Sequence, residues 1–214
     1  MGGRADGTHE KGAGQAMSPD EALDRLLAGH ERYLRGEPRF NAVRREELAG
    51  LARGQQPYAT ILGCSDSRVP PEVIFDAGPG ELFVIRVAGN VLSPEVAGSM
   101  QYANLHLRTP LVVVLGHEGC GAVKAALEQR LHGVEHHSFI QILVDSILPV
   151  LEQVDPALPP EEQLAAAVEA NVRAAVGTIL DSPGGRAMTR DGSRRLVGAI
   201  YEIATGRVRL LETA

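Results

Sequence analysis

Three short apolar runs, at residues 58–63, 82–88 and 111–116, constrain the fold of this chain more than any other feature. Each is too short to be a helix that buries itself, and each is rich in residues suited to a strand covered on both faces. A helical stretch at 94–107 separates the second run from the third, and another from about 119 to 131 follows the third. This β-α-β-α alternation predicts an α/β fold with a mostly parallel central sheet and helices on both faces. Ahead of it, Ser18, Pro19, Asp20 and Glu21 form a helix start, and Leu23, Leu26 and Leu27 repeat at helical spacing to about residue 34. A short second helix is expected at 44–52, ended by Gly54 and Pro57, and longer ones at 141–154 and 161–180. Residues 196–203 and 208–211 flank Thr205-Gly206 as a closing hairpin, which adds an antiparallel edge strand.

Composition narrows the partners. With 214 residues, 44% of them apolar, the chain has enough material for one core. Residues 1–17, whose first sixteen positions include five glycines, read as a disordered tail, leaving 18–214 as a single domain. Lys plus Arg number 21 against 27 Asp plus Glu, a net charge of −6, and no basic run is available to neutralise a phosphate backbone, so no nucleic-acid partner is expected. No apolar stretch approaches the ~20 residues of a membrane span, and no charged-then-apolar leader opens the chain. A cytoplasmic protein away from the membrane is the expectation. With no Trp and 4% aromatic residues, its core must be aliphatic.

Only two cysteines occur, Cys64 and Cys120, too few for a secreted disulfide framework. Both fall where strands end. The first apolar run leads into Cys64-Ser65-Asp66-Ser67-Arg68, and the third leads into His117-Glu118-Gly119-Cys120-Gly121. In an open parallel sheet the ligand crevice lies outside the carboxyl ends of the strands, so both clusters face one place. Two thiols and an imidazole suit zinc and leave a fourth position. Water there makes the site catalytic, whereas Asp66 there closes it. Arg68 at Asp-x-Arg spacing can hold the carboxylate in a bidentate pair, off the metal and ready to accept a proton. Other readings stand beside this one: a thiol redox pair, a merely structural Asp66–Arg68 bridge, and glycines at 119 and 121 that only permit a turn.

The segment from Cys64 to Pro70 and the segment Gly116-His117-Glu118-Gly119-Cys120-Gly121 resemble the two signatures of β-class carbonic anhydrases. The likeness extends to residues 79–84, Arg86, Ala88-Gly89-Asn90 and 198–201. It implies one Zn2+ per chain on Cys64, His117 and Cys120, with Asp66 and Arg68 as a catalytic dyad. It further implies reversible hydration of carbon dioxide to bicarbonate and a proton by zinc-bound hydroxide. It also implies a homodimer or a dimer of dimers, an amino-terminal helix laid over the neighbouring protomer, and active sites near the interface.

Within that family, Gln55, Phe83 and Tyr102 match the substrate-pocket residues of members with an open zinc site, and Gly121 adjoins them as a substrate-binding position. Members that close the site with bicarbonate use a Trp, an Arg and a Tyr; Arg86 and Tyr201 match, but Ile61 stands at the Trp position. His106, four residues after Tyr102, matches a proposed proton relay, whereas His136 and His137 match no motif and read as surface residues. Glu118 and Gln101 are small departures that bear on pocket polarity. The alternatives are a carbonyl sulfide or carbon disulfide hydrolase on the same fold, and a catalytically silent, zinc-stabilised dimer that binds bicarbonate.

Overall fold

The computed structural model describes residues 17–39, 45–190 and 192–211; residues 1–16 of the expected tail and the first residue of the expected 44–52 helix lie outside these. Helix α1 (Pro19–Leu34) begins at Ser18, whose side chain accepts from the Glu21 N–H while Glu21 returns the bond to the Ser18 N–H. This reciprocal box satisfies two otherwise orphaned amides. Next come α2 (Arg45–Leu51), β1 (Ala59–Gly63), α3 (Pro71–Ile74), β2 (Leu82–Arg86), a 3₁₀ turn at Ala88–Asn90, and α4 (Pro94–Tyr102), which widens into a π turn at Ala103–Leu107. The remainder is β3 (Leu111–His117), α5 (Gly121–His132), α6 (Phe139–Ile147), a 3₁₀ segment at Leu148–Gln153, α7 (Pro160–Asp181), α8 (Pro183–Thr189), β4 (Arg195–Tyr201) and β5 (Val208–Leu211).

The five strands lie in the order β2-β1-β3-β4-β5, with β2, β1, β3 and β4 parallel and β5 antiparallel at the edge. Each face carries its own core. On one, Leu23 and Leu26 of α1 and Ile74 and Phe75 at α3 cover Ile61, Val113 and Ala199. On the other, α4, α5, α6 and α7 cover Leu62, Val112, Val114 and Ile200. The expected architecture is therefore the observed one.

Four local expectations change. The run 82–88 reads as a strand covered on both faces, yet β2 stops at Arg86 and sits at the sheet edge, with Phe83, Val84 and Ile85 only partly covered. Its apolar residues look like those of a central strand because composition does not encode strand order. The stretch 94–107 is not one regular helix; it ends in the π turn, with Arg108 left-handed (φ 55°) as its cap. The 141–154 helix breaks at Pro149 into α6 and a 3₁₀ segment. Helices α3 and α8, each started by a proline, are additions to the expected set.

Candidate metal centre

Cys64 follows the last residue of β1, His117 is the last residue of β3, and Cys120 is the residue before α5. Because β1 and β3 are adjacent and parallel, with Gly63 paired to Leu115, their carboxyl ends open side by side. Gly119 turns the chain with φ +65°, so that Cys120 swings back over the same point. The Sγ atoms of both cysteines and a ring nitrogen of His117 all lie within 4.8 Å of one another. The two sulfurs are 4.0 Å apart, close to the ~3.8 Å edge of a tetrahedron with ~2.3 Å metal–sulfur bonds.

Burial and proton placement point the same way. Cys64, His117 and Cys120 are 5%, 0% and 1% exposed. His117 Nδ1 lies 2.9 Å from the Glu118 carbonyl and donates to it, which leaves the Nε2 lone pair directed into the cluster. That Nε2 is buried with no hydrogen-bond partner, a costly arrangement for an imidazole unless a cation takes the lone pair. The residues present fit zinc.

The two thiols are not equivalent. Cys64 is held well below its ordinary range, first by the hydrogen bond from Cys120, against burial, and then by His117 and the amides of Gly89 and Asp66. Cys120 is pushed up by the neighbouring Cys64 sulfur and by burial, partly offset by the amides of Val123 and Ala122 at the start of α5. The His117 ring is raised above its usual value: burial works against its charge, and the Cys64 sulfur, the Glu118 carbonyl and Asp66 together outweigh that.

Asp66 flanks this cluster, with Oδ2 at 3.9 Å from His117 Nε2. Arg68 grips it in a fork, Nε to Oδ1 at 2.9 Å and Nη2 to Oδ2 at 2.7 Å, and the Arg68 amide adds a third bond to Oδ1 at 2.9 Å. The Arg68 side chain is the chief reason the Asp66 carboxyl lies far below the usual carboxylate range. Arg86 donates to the carbonyls of Cys64 at 2.9 Å and Asp66 at 2.5 Å, bracing the loop that carries both.

The other expected site residues are spread over the fold. Phe83, Tyr102 and His106 form an aromatic ladder, with ring centroids 6.2 Å and 4.9 Å apart in turn. Phe83 is three residues upstream of Arg86, the register partner of Gly63, which places it about 10 Å down the strand from the metal end. Gln55 is exposed in the loop entering β1, at the opposite end of that strand. Gly121 opens α5 beside Cys120. Glu118 accepts from the Ala204 amide through Oε2, 3.2 Å away. His136 Nε2 lies 3.3 Å from the Ala125 carbonyl, and His137 is exposed, in keeping with the surface reading.

The family model described as carbonic anhydrase matches residues 59–208, the segment that contains the parallel strands and Cys64, His117 and Cys120. A carbonic anhydrase of Mycolicibacterium smegmatis is 35% identical over 203 residues, covering 90% of this chain and 93% of that protein. The chain belongs to the carbonic anhydrase family, in its β class. Carbonic anhydrase 2 of Mycobacterium tuberculosis is 44% identical over 132 residues, a match spanning 62% of this chain and 64% of the relative. The β-carbonic anhydrase CafA of Aspergillus fumigatus superposes with a TM-score of 0.73 at 26% identity, covering 91% of each chain. This carbonic anhydrase fold accounts for the parallel sheet and its antiparallel last strand.

Sequence reading missed Asn171. It is a 6% exposed amide in the middle of α7 that donates to the Gly89 carbonyl at 2.8 Å. The only signal was a polar residue at an apolar position in an otherwise Ala- and Val-rich helix.

Proposed function

We propose that this chain catalyses the reversible hydration of carbon dioxide to bicarbonate and a proton, with one zinc ion held by Cys64, His117 and Cys120 and with Asp66 and Arg68 as its dyad. The observation that carries this reading is the buried Cys-His-Cys convergence beside an arginine-clamped carboxylate. Zinc in such a site supplies a Lewis acid that makes water a nucleophile near neutral pH. The protein does the rest. Arg68 keeps Asp66 ionised and points its remaining Oδ2 lone pair toward the centre, so the carboxylate orients a water there and accepts its hydrogen bond. A carboxyl held this far down does not retain the proton; it passes it on.

The reading extends to the open-site type. Ile61 is fully buried and offers no donor, the Tyr201 hydroxyl is engaged by Tyr33 at 2.8 Å, and Arg86 is committed to two carbonyls, so these three positions supply no ready bicarbonate pocket. Gln55, Phe83 and Tyr102 line the substrate cleft of the assembled enzyme, with Gly121 beside the metal and His106 next to Tyr102 as proton relay. Since Phe83 and Gln55 lie away from the metal end within one chain, a second copy completes each site. The uncovered apolar edge at β2 fits a dimer or a dimer of dimers. Residues 18–214 act as a single catalytic domain. Among the described residues no helix is long and apolar enough to cross a membrane, and two buried thiols kept free suit the reducing cytoplasm.

Stopped-flow hydration of carbon dioxide by zinc-loaded protein at pH 8 to 9 tests this. A rate well above buffer that vanishes on chelation is expected. No rate above buffer refutes it, and faster turnover of carbonyl sulfide than of carbon dioxide replaces the substrate.

A further inference from the structure

Asn171 is out of place by the usual rules of burial. It sits between Ala170 and Val172, both buried, where an apolar side chain is the ordinary occupant. Its amide reaches the Gly89 carbonyl at 2.8 Å, and the Gly89 amide in turn points at Cys64 Sγ, 3.4 Å away. Part of the turn so held is unfavourable on its own: Gly89 takes φ +70° freely, as glycine can, but the non-glycine Asn90 has φ +43°. A Cβ at Gly89 would meet Ile147 Cδ1 at 2.9 Å and Ala122 Cβ at 3.1 Å, so α5 and α6 crowd this residue. The helix that bears Asn171 is itself firmly seated, because Val172 packs directly over Gly116, one residue before His117.

We propose that Asn171 is a positioning residue of the metal centre: it holds the Ala88–Asn90 turn so that the Gly89 amide stays hydrogen-bonded to the Cys64 sulfur. The inference rests on the zinc reading above. A hydrogen bond to a thiolate ligand draws electron density from the sulfur, so the metal receives less and remains a stronger Lewis acid. This matters most in a site with two thiolates, where sulfur donation already cancels the charge of the ion. Asn171 thus reaches the metal through two successive hydrogen bonds, from a helix that contributes no ligand.

The test compares wild type with Asn171→Leu, which removes the donor, and Asn171→Asp, which keeps the shape but turns an acceptor toward the Gly89 carbonyl. Zinc affinity by chelator competition, the thiolate-to-metal charge-transfer band of the cobalt(II)-loaded protein, and the melting temperature of each metal-free chain are measured. Expected are a charge-transfer band moved to lower energy in both variants, as the Cys64 sulfur regains density, and a 10–100-fold loss of zinc affinity, because the freed turn no longer pre-positions that sulfur. Unchanged affinity with an unmoved band overturns the inference. So does a lower melting temperature with an unmoved band, because a purely structural amide would do just that. Cadmium-113-loaded wild-type protein gives an independent readout: scalar coupling from the metal to the Gly89 amide proton is expected. Its absence overturns the inference even if neither variant folds. Wild-type protein that binds no stoichiometric zinc refutes the metal reading itself, a separate failure.

Discussion

Gly116→Ala probes how the metal end of the sheet is built. A methyl group added at Gly116 would lie 2.4 Å from Val172 Cγ2, about 1 Å inside ordinary contact. The strand cannot retreat, because β3 is bonded on both sides, to β1 and to β4. Helix α7 must move instead, and overpacking of this kind costs about 1–3 kcal/mol. At ~2–4 °C per kcal/mol for a chain of this size, the melting temperature should fall by roughly 2–12 °C. Val172→Ala alone removes two buried methyl groups, about 1.6 kcal/mol of transfer free energy, plus a cavity term. In the double variant the methyl group introduced at position 116 occupies the space that Val172 vacates, so the total loss should be smaller than the sum of the singles by about 1 kcal/mol or more. Urea unfolding of the four proteins measures this cycle. Additivity within ~0.5 kcal/mol would show that close approach of α7 is not why position 116 is glycine.

Cys120→Ser should lose stoichiometric zinc on metal analysis while the sheet persists, since Cys120 joins no strand. Asp66→Asn should retain zinc yet lose about 10²–10⁴-fold in stopped-flow turnover, because an amide presents a donor where the carboxylate accepts; full activity would remove Asp66 from the mechanism. Glu169 on α7 pairs with Arg173 and with Arg209 of β5, and Arg173 is the main cause of its lowered carboxyl. Its folded value lies below its unfolded one, so its contribution is present above ~4.3 and fades as pH falls through the folded value. Glu169→Gln should therefore cost under ~1 kcal/mol at pH 7, with the deficit shrinking in urea unfolding at pH 3.5. A deficit that does not change with pH would refute the ion-pair account.

Much of the centre was legible because its chemistry is concentrated. Cys64, His117 and Cys120 stand at or just past the ends of apolar runs, and the geometry of a parallel sheet brings such ends to one side. The Asp-x-Arg spacing likewise foretold the fork, which depends on only three consecutive residues. Only resemblance marks Phe83, Tyr102 and Gln55, and within the single chain Phe83 and Gln55 lie away from the Cys-His-Cys cluster. Asn171 was invisible because its partner, Gly89, lies 82 positions away in the chain. A polar residue in an Ala- and Val-rich helix is its one local mark, and that mark does not say which distant backbone the amide serves.

Sequence alone determined most of the elements and the donor set: the period of apolar residues and the Ser18 cap act over a few residues, and the affinity of thiol and imidazole for zinc is intrinsic to those groups. Tertiary structure alone decided that β2 is an edge, that the His117 Nε2 lone pair is left to the cluster, and that a helix amide braces the turn behind Cys64. These depend on strand order and on which surfaces meet, and an apolar run carries the same composition wherever packing places it.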